Sequence, residues 1–240
     1  MREATLIMAY YENKDMLAYQ FEFMRKFSKE VRKGIRVIIV DDGSPMNPAT
    51  PGDCGCDLEI YRINVDIRWN QDAARNIGAF YAQTDWLLVT DMDHMVPERT
   101  WQYVQTAELM PNTTYKFNRV SAPAMEPYKP HPNSYFISKV IWDRVGGYDE
   151  RFAGYYGTDG DFRDRLNQTS AVAMLKDHII RVPREHIHDA STTRYARKTP
   201  EDARIRDIKA ARAAVPGWRP ITRSFPYERV YPLKRATADV

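Results

Sequence analysis

The chain has 240 residues, is 43% hydrophobic and 12% aromatic, and carries a net charge of only +3. Its length suits one large α/β domain or one domain with an appendage, and no run approaches the roughly 18 apolar residues of a membrane-spanning helix. Cys54 and Cys56, one residue apart in "GDCGCD", exclude a disulfide framework and are too few for a structural zinc site, so a reducing, cytoplasmic setting is expected.

The opening "MREATLIMAYY" lacks the length of a signal peptide and reads as a first strand. "NKDMLAYQFEFMRKFSKEVRK" places Met16, Leu17, Phe21, Met24, Phe27 and Val31 on one face, which predicts a helix. "IRVIIV" is a β-branched run without polar alternation, as in a strand covered on both faces, and "DDGSP" ends it with turn residues. "LEIYRINV" predicts a third strand. "NQDAARNIGAFYAQ" predicts a helix with Asn70 as N-cap, "DWLLVT" a fourth strand, and "PERTWQYVQTAEL" a helix with Pro97 in its first turn. Such alternation implies a mostly parallel, doubly wound sheet.

The second half is less regular. "TYKFNRV", "SYFIS" and "AVAMLKDHIIRVP" read as strands. "KVIWDRVGG" reads as a short helix ended by glycines, and "TDGDFRDRLNQ" as the start of another. Thr199 and Asp202 make a capping signal ahead of "ARIRDIKAARAAV". Pro216, Pro220, Pro226 and Pro232 predict an extended wrap. From Ala190 onward there are 12 Lys and Arg against 5 Asp and Glu, a basic extension on an acidic body, which suits an anionic partner or a solvated surface.

Ligands of open α/β sheets bind beyond the carboxyl ends of the strands. Two strands end there in acid, one in Asp41 and Asp42, the other in Asp91 and Asp93. In extended chain, Asp91 and Asp93 point the same way, and paired hard oxygens suit Mg²⁺ or Mn²⁺ on a diphosphate. The same acids would equally serve a turn and a cap ahead of Pro97.

Taken in order, "VIIVDDGSP", "WNQDAARNIGAFYA" and "DWLLVTDMDHMVP" resemble the family 2-like glycosyltransferases of the GT-A fold over residues 5–189. The resemblance implies a Rossmann-like, mostly parallel central sheet flanked by helices. It places the nucleotide-binding half at 1–96, the acceptor half at 97–189 and a basic extension at 190–240. It implies that Ala9, Tyr10 and Asp41 hold the nucleotide base, with Asp42 a substitute for Asp41. Arg75, Asn76 and Gly78 then border the nucleotide-sugar pocket. Asp91 and Asp93 carry Mn²⁺ or Mg²⁺ on the diphosphate, Asp93 ranking first. "VGGYDERFAGYYGTDGDFRDRL" looks like the segment of galactosyltransferase-like members whose glycines, Gly147 among them here, approach the donor sugar. That segment's acid–Asp pair reads Thr158–Asp159, which implies Asp159 as the base that deprotonates the acceptor, with Asp161 the alternative. A late histidine, His188 or His186, matches a third metal ligand, and His94 matches a partner to the metal-binding acids.

The expected reaction is metal-dependent, inverting transfer of a sugar from a nucleotide-sugar donor, a UDP-sugar being favoured. The acceptor is a glycan or a hydroxymethylated DNA base. Trp142, Tyr155 and Tyr156 are either an acceptor platform or core. Tyr195, Trp218, Phe225 and Tyr227, interleaved with basic residues, suit nucleic acid, a peripheral membrane contact or plain wrapping. A nucleotidyltransferase is disfavoured by "AYYENKD", which is not a Gly-rich basic loop. A non-catalytic nucleotide-sugar binding module is the remaining alternative.

Overall fold

The computed structural model describes residues 1–188, Ala190, Tyr195 and 202–234. Thr199, the expected helix cap, and Asp189, the expected end of the first domain, lie outside the described residues. Seven helices are described: α1 (Lys14–Arg25), α2 (Lys29–Lys33), α3 (Gln71–Tyr81), α4 (Glu98–Thr106), α5 (Lys139–Val145), α6 (Asp159–Thr169) and α7 (Asp202–Ala213). The strands are β1 (Ala4–Tyr10), β2 (Ile35–Asp41), β3 (Asp57–Ile63), β4 (Trp86–Asp91), β5 (His94–Met95), β6 (Thr113–Ser121), β7 (Glu126–Tyr128), β8 (Tyr135–Ser138), β9 (Ala171–Arg181) and β10 (Tyr227–Lys234).

All ten strands join one sheet in the order β10-β3-β2-β1-β4-β8-β6-β9-β5, with β7 paired to β6. The centre, β3-β2-β1-β4, is parallel. Antiparallel pairs β10–β3 and β4–β8 flank it, so the sheet is parallel at its centre and mixed beyond it. Strand periodicity sorts the core into two layers. Leu6, Met8, Val37, Ile39 and Leu88 meet Met16, Phe21 and Trp101 from α1 and α4. Ile7, Ile38, Val40, Leu87 and Val89 meet Ala74, Ile77, Ile141 and Phe162 from α3, α5 and α6 on the other face. Helices on both faces explain why the central strands read as continuous apolar runs.

Gly78 sets the spacing of α3 on β1, since a Cβ there would fall 2.4 Å from Ile7 Cγ2. The single helix expected over 13–33 is two. Ser28 is extended (ψ 151°), and its N–H and hydroxyl donate to Glu98 Oε1 at 2.8 and 2.6 Å. That contact to α4 holds the break open, and apolar spacing carries no sign of it.

The C-terminal stretch expected to wrap in extended form does so in part as an edge strand. β10 pairs antiparallel with β3, with register shifts around Tyr231 and Lys234. Pro232 lies in that interruption, the place an edge strand tolerates proline. Glu150 secures the approach to β10. It accepts from the backbone N–H of Arg223 (2.6 Å) and Ser224 (2.7 Å) and from the Ser224 hydroxyl (2.6 Å). The described part of the basic extension is thus stitched into the domain.

Candidate active site

The register aligns Ala9 with Asp91 and Tyr10 with Asp41, so both acidic strand ends meet the C-terminal end of β1. A cleft opens there, lined by Ala9, Tyr10, Tyr11, Asp42, Trp69 and Tyr195 among others. Asp41 does not line it. Its two carboxylate oxygens accept the backbone N–H groups of Ser44 and Ala49, each at 2.8 Å. Burial raises its pKa, and those two amides work against the rise. Asp41 therefore shapes the loop after β2, and its neighbour faces the cleft. Asp42 Oδ1 is buried without a hydrogen-bond partner. Burial, reinforced by Asp41 and Asp72, raises the Asp42 pKa well above the carboxylate range. Trp69 beside it holds a positive φ of 55°, a conformation costly for a bulky side chain. Both its indole Nε1 and the amide of Asn70 are buried and unpartnered, so Asn70 makes no side-chain cap on α3.

Arg75 organises the next corner. It is fully buried on α3 and donates to Asp72 Oδ1 at 2.8 Å and to Asp91 Oδ1 at 2.5 Å. His131 Nε2 lies 3.3 Å from Asp91 Oδ2. Burial pushes Asp91 up, but Arg75, then His131 and His94, outweigh it and hold the carboxylate well below its usual range. Asp72 goes the other way. Burial lifts it to about 7, helped by the charges of Asp159 and Asp91 and opposed by Arg75. Asp91 is thus a fixed anion beside Arg75, while Asp72 titrates near neutrality.

Asp93 Oδ1 pairs with His94 Nδ1 at 2.8 Å, and His94 Nε2 lies 2.9 Å from Arg119 Nη1. A guanidinium only donates. Nε2 is therefore the acceptor, Nδ1 carries the proton, and His94 is a neutral imidazole orienting Asp93. Burial, which lowers the His94 pKa against the pull of Asp93, agrees. Asp93 Oδ2 accepts no hydrogen bond among the described residues.

The glycine segment is a latch. Gly146 ends α5 in the left-handed region, and Gly147 follows with φ 77°. A Cβ on Gly147 would sit 2.5 Å from Asn76 Oδ1. Asn76 uses both ends of its amide here. Its Oδ1 accepts from Tyr148 N (2.8 Å), and its Nδ2 donates to Tyr148 O (2.9 Å) and Glu150 Oε1 (2.8 Å). Asn76 and Gly147 thus lock α3 to this segment, behind Arg75.

Asp159 opens α6, half-buried. Its Oδ1 accepts from Asn133 Nδ2 at 2.8 Å, and its Oδ2 has no partner among the described residues. Asp161 is taken: Arg165 Nε donates to it at 3.0 Å, and Arg212 of α7 also pairs with it. Burial pushes Asp161 up, but these two guanidiniums outweigh it and hold the group below its usual range.

The structure brings Ala9, Tyr10, Asp91 and Asp93 to the carboxyl ends of the central strands β1 and β4, with Arg75 of α3 beside them and Asp159 linked through the 131–134 loop. His188 is exposed, and among the described residues no three His, Cys, Asp or Glu side chains gather as a metal-ligand group. His186 and Ile187 close the turn at 183–187 after β9 with their N–H groups on Pro183 O. His186 is also exposed and packs edge-on to Tyr19. Trp142 is core, 5% exposed against Phe162 and Tyr148, whereas Tyr156 is exposed beside Trp69 at 4.8 Å. Sequence reasoning missed His131 and Asn133. Their only signal is a His and an Asn within a proline-bounded loop, "KPHPNSY".

The mixed α/β sheet, parallel at its centre and flanked by helices, has the architecture of the GT-A fold. The model of glycosyl transferase family 2 matches residues 5–165, and the chain belongs to that family. Among solved structures, S. aureus TarS 1-349 in complex with UDP-GlcNAc aligns at 14% identity and a TM-score of 0.58 over 83% of this chain and 63% of that one. The same TarS 1-349 in complex with UDP aligns at 13% identity and a TM-score of 0.53, covering 78% and 63%. At that identity the likeness is one of fold, and the chain spans about 63% of TarS 1-349. No curated protein matches it. Among the described residues no helix is long and apolar enough to cross a membrane.

Proposed function

We propose that this chain transfers a sugar from a nucleotide-sugar donor, a UDP-sugar, to an acceptor hydroxyl with inversion at the anomeric carbon. One observation carries the reading. His131 and Asn133, two residues apart on one loop, reach Asp91 and Asp159 respectively. The loop ties the acid at the end of β4 to the carboxylate proposed as base. Support for the donor comes from family membership and from TarS, whose structures are complexes with UDP-GlcNAc and UDP.

In this reading the base enters the cleft beside Ala9 and Tyr10 and meets the unpartnered Asp42 carboxyl and the Trp69 indole N–H. Asp42 replaces Asp41 in that role, because Asp41 is spent on its own loop. Mn²⁺ or Mg²⁺, when bound, neutralises the diphosphate leaving group. Asp93 would hold it through Oδ2. One carboxylate completed by phosphate oxygens and water suits such an ion. The oxygens of Asp91 already face Arg75 and His131, so Asp91 acts by fixing that corner. Asp159 takes the acceptor proton on Oδ2 while Asn133 holds Oδ1, and the acceptor oxygen attacks the anomeric carbon opposite the leaving diphosphate. A cytoplasmic setting is part of the proposal, and both cysteines are free thiols.

The test is the thermal midpoint of the purified chain with UDP, GDP, CDP and dTDP, each with and without Mn²⁺. A ligand of the native state raises the midpoint by mass action. A Mn²⁺-dependent rise with UDP that disappears in Asp93→Ala is the expected result. A rise with none of the four would overturn the donor site.

A further inference from the structure

Asp91 and Asp93 are held in different ways. Asp91 ends β4 inside the parallel ladder, aligned with Ala9, and Arg75 pins its side chain. Asp93 lies in the turn between β4 and β5, past the last residue in register with β1. Carbonyl groups of a buried turn need donors from elsewhere. Gln20, on α1, serves two of them. Its Nε2 donates to Met92 O at 2.7 Å and to His94 O at 2.9 Å, the carbonyls on either side of Asp93. The carbonyl of Asp93 itself accepts from Val182 N–H at 2.9 Å, just after β9. Met92, between the two acids, is 4% exposed in the core layer that holds Met16 and Phe21 of α1. The turn is therefore fixed on its inner side, while Asp93 Oδ1 pairs with His94 Nδ1 and Oδ2 is without a partner among the described residues.

Helical period puts Gln20 in the apolar stripe of α1 with Met16, Leu17, Phe21 and Met24, and it is 2% exposed. An amide there is costly unless hydrogen-bonded, and methionine or leucine would fill the same space. Both of its amide protons go to one turn, so that turn accounts for a polar residue in the stripe. We propose that Gln20 is a positioning residue: by clamping the carbonyls of Met92 and His94 it fixes the main chain at Asp93, so that Asp93 Oδ2 is presented to the divalent cation of the donor. This rests on the transferase reading and extends it to α1, on the face of the sheet opposite α3. Mg²⁺ demands near-octahedral oxygen ligands at about 2.0–2.1 Å. Groups that orient a metal ligand without touching the ion are worth about 10–100-fold in metal affinity. Gln20 acts only through Asp93.

The experiment titrates Mn²⁺ into the full chain saturated with UDP and follows the free ion by electron paramagnetic resonance, against a protein-free UDP blank. The parent chain is compared with Asp93→Ala, Gln20→Met and the double variant. Gln20→Met keeps the volume and removes both donors. It should weaken Mn²⁺ binding by about tenfold or more and leave UDP affinity without metal unchanged in calorimetry. The double variant should bind Mn²⁺ no more weakly than Asp93→Ala alone, since the two residues act in series. Lower resistance to urea accompanies these effects, because two buried carbonyls lose their donor. Loss of stability with Mn²⁺ affinity equal to the parent's would overturn the proposal and leave Gln20 a structural amide. A further loss of Mn²⁺ binding in the double variant would also overturn it, as would a parallel loss of metal-free UDP affinity. Gln20→Glu, whose carboxyl burial keeps protonated, retains one donor. It should show a smaller loss of Mn²⁺ affinity in the same direction, and it replaces Gln20→Met should that variant fail to fold. If Asp93→Ala binds Mn²⁺ as the parent does, the metal assignment at Asp93 falls and the proposal with it. If Asp93→Ala loses Mn²⁺ and the Gln20 variants do not, the proposal falls alone.

Discussion

Replacing Arg75 with methionine keeps most of the side-chain volume and removes the charge that two carboxylates depend on. The arginine is 0% exposed, Asp72 is 7% and Asp91 28%. Asp72 is then stranded without solvent, while Asp91 recovers part of its hydration and keeps His131. Removing one partner of a buried pair costs about 3–5 kcal/mol, and the partial exposure of Asp91 puts the expectation near the lower end, about 3 kcal/mol. At about 2–4 °C per kcal/mol for a chain of this size, the midpoint should fall by about 10 °C. Urea unfolding read by tryptophan fluorescence measures the loss, and the Arg75→Met/Asp72→Asn double variant locates it. Neutralising the stranded acid should return about 1 kcal/mol or more. Protonation relieves the same strain, so the deficit of Arg75→Met should shrink as pH is lowered from about 8 to about 5. A deficit below about 1 kcal/mol, unchanged by pH and by Asp72→Asn, would refute the argument that Arg75 compensates two acids.

Three further outcomes are expected. Asp72 has a folded pKa of about 7 against 3.8, so its contribution to stability is full below the lower value and is lost as pH rises through the upper one. Asp72→Asn should therefore flatten the stability–pH curve between those values, and a curve of unchanged slope would contradict the assignment. Asp159→Asn preserves an acceptor for Asn133 and removes the base. It should cut transfer by about 10²–10⁴-fold with UDP affinity intact, measured by UDP release and calorimetry, and wild-type turnover would exclude Asp159. Gly147→Ala places a Cβ 2.5 Å from Asn76 Oδ1 at a φ of 77°, so a loss of about 1–3 kcal/mol is expected in chemical unfolding. No loss would mean that the latch yields freely.

The strand–helix alternation, the two-faced apolar runs and the acids that end β2 and β4 were legible in the sequence, because they rest on periodicity within single elements. The ordered motifs "VDDGS", "AARNIG" and "TDMDH" located the carboxyl end of the central strands. What sequence spacing left open was which of several adjacent acids is free. Asp41 and Asp42 are neighbours of identical chemistry, and only the loop folding back through Ser44 and Ala49 consumes the first and leaves the second facing the cleft. Asp161 and Asp159 are separated in the same way, by Arg212 from a helix 51 residues away.

His131 and Asn133 had no local pattern at all; their partners, Asp91 and Asp159, lie on other elements. The prolines made the extended course of the C-terminal stretch legible, but Pro232 argues against a strand interior, so the pairing of β10 with β3 as an irregular edge was not. The sequence by itself determined the architecture and the kind of site, since hydrophobic period and chain direction are local properties. The tertiary structure alone decided which side chains remain available, because a carboxylate or guanidinium is available or spent according to neighbours that folding, and not sequence proximity, supplies.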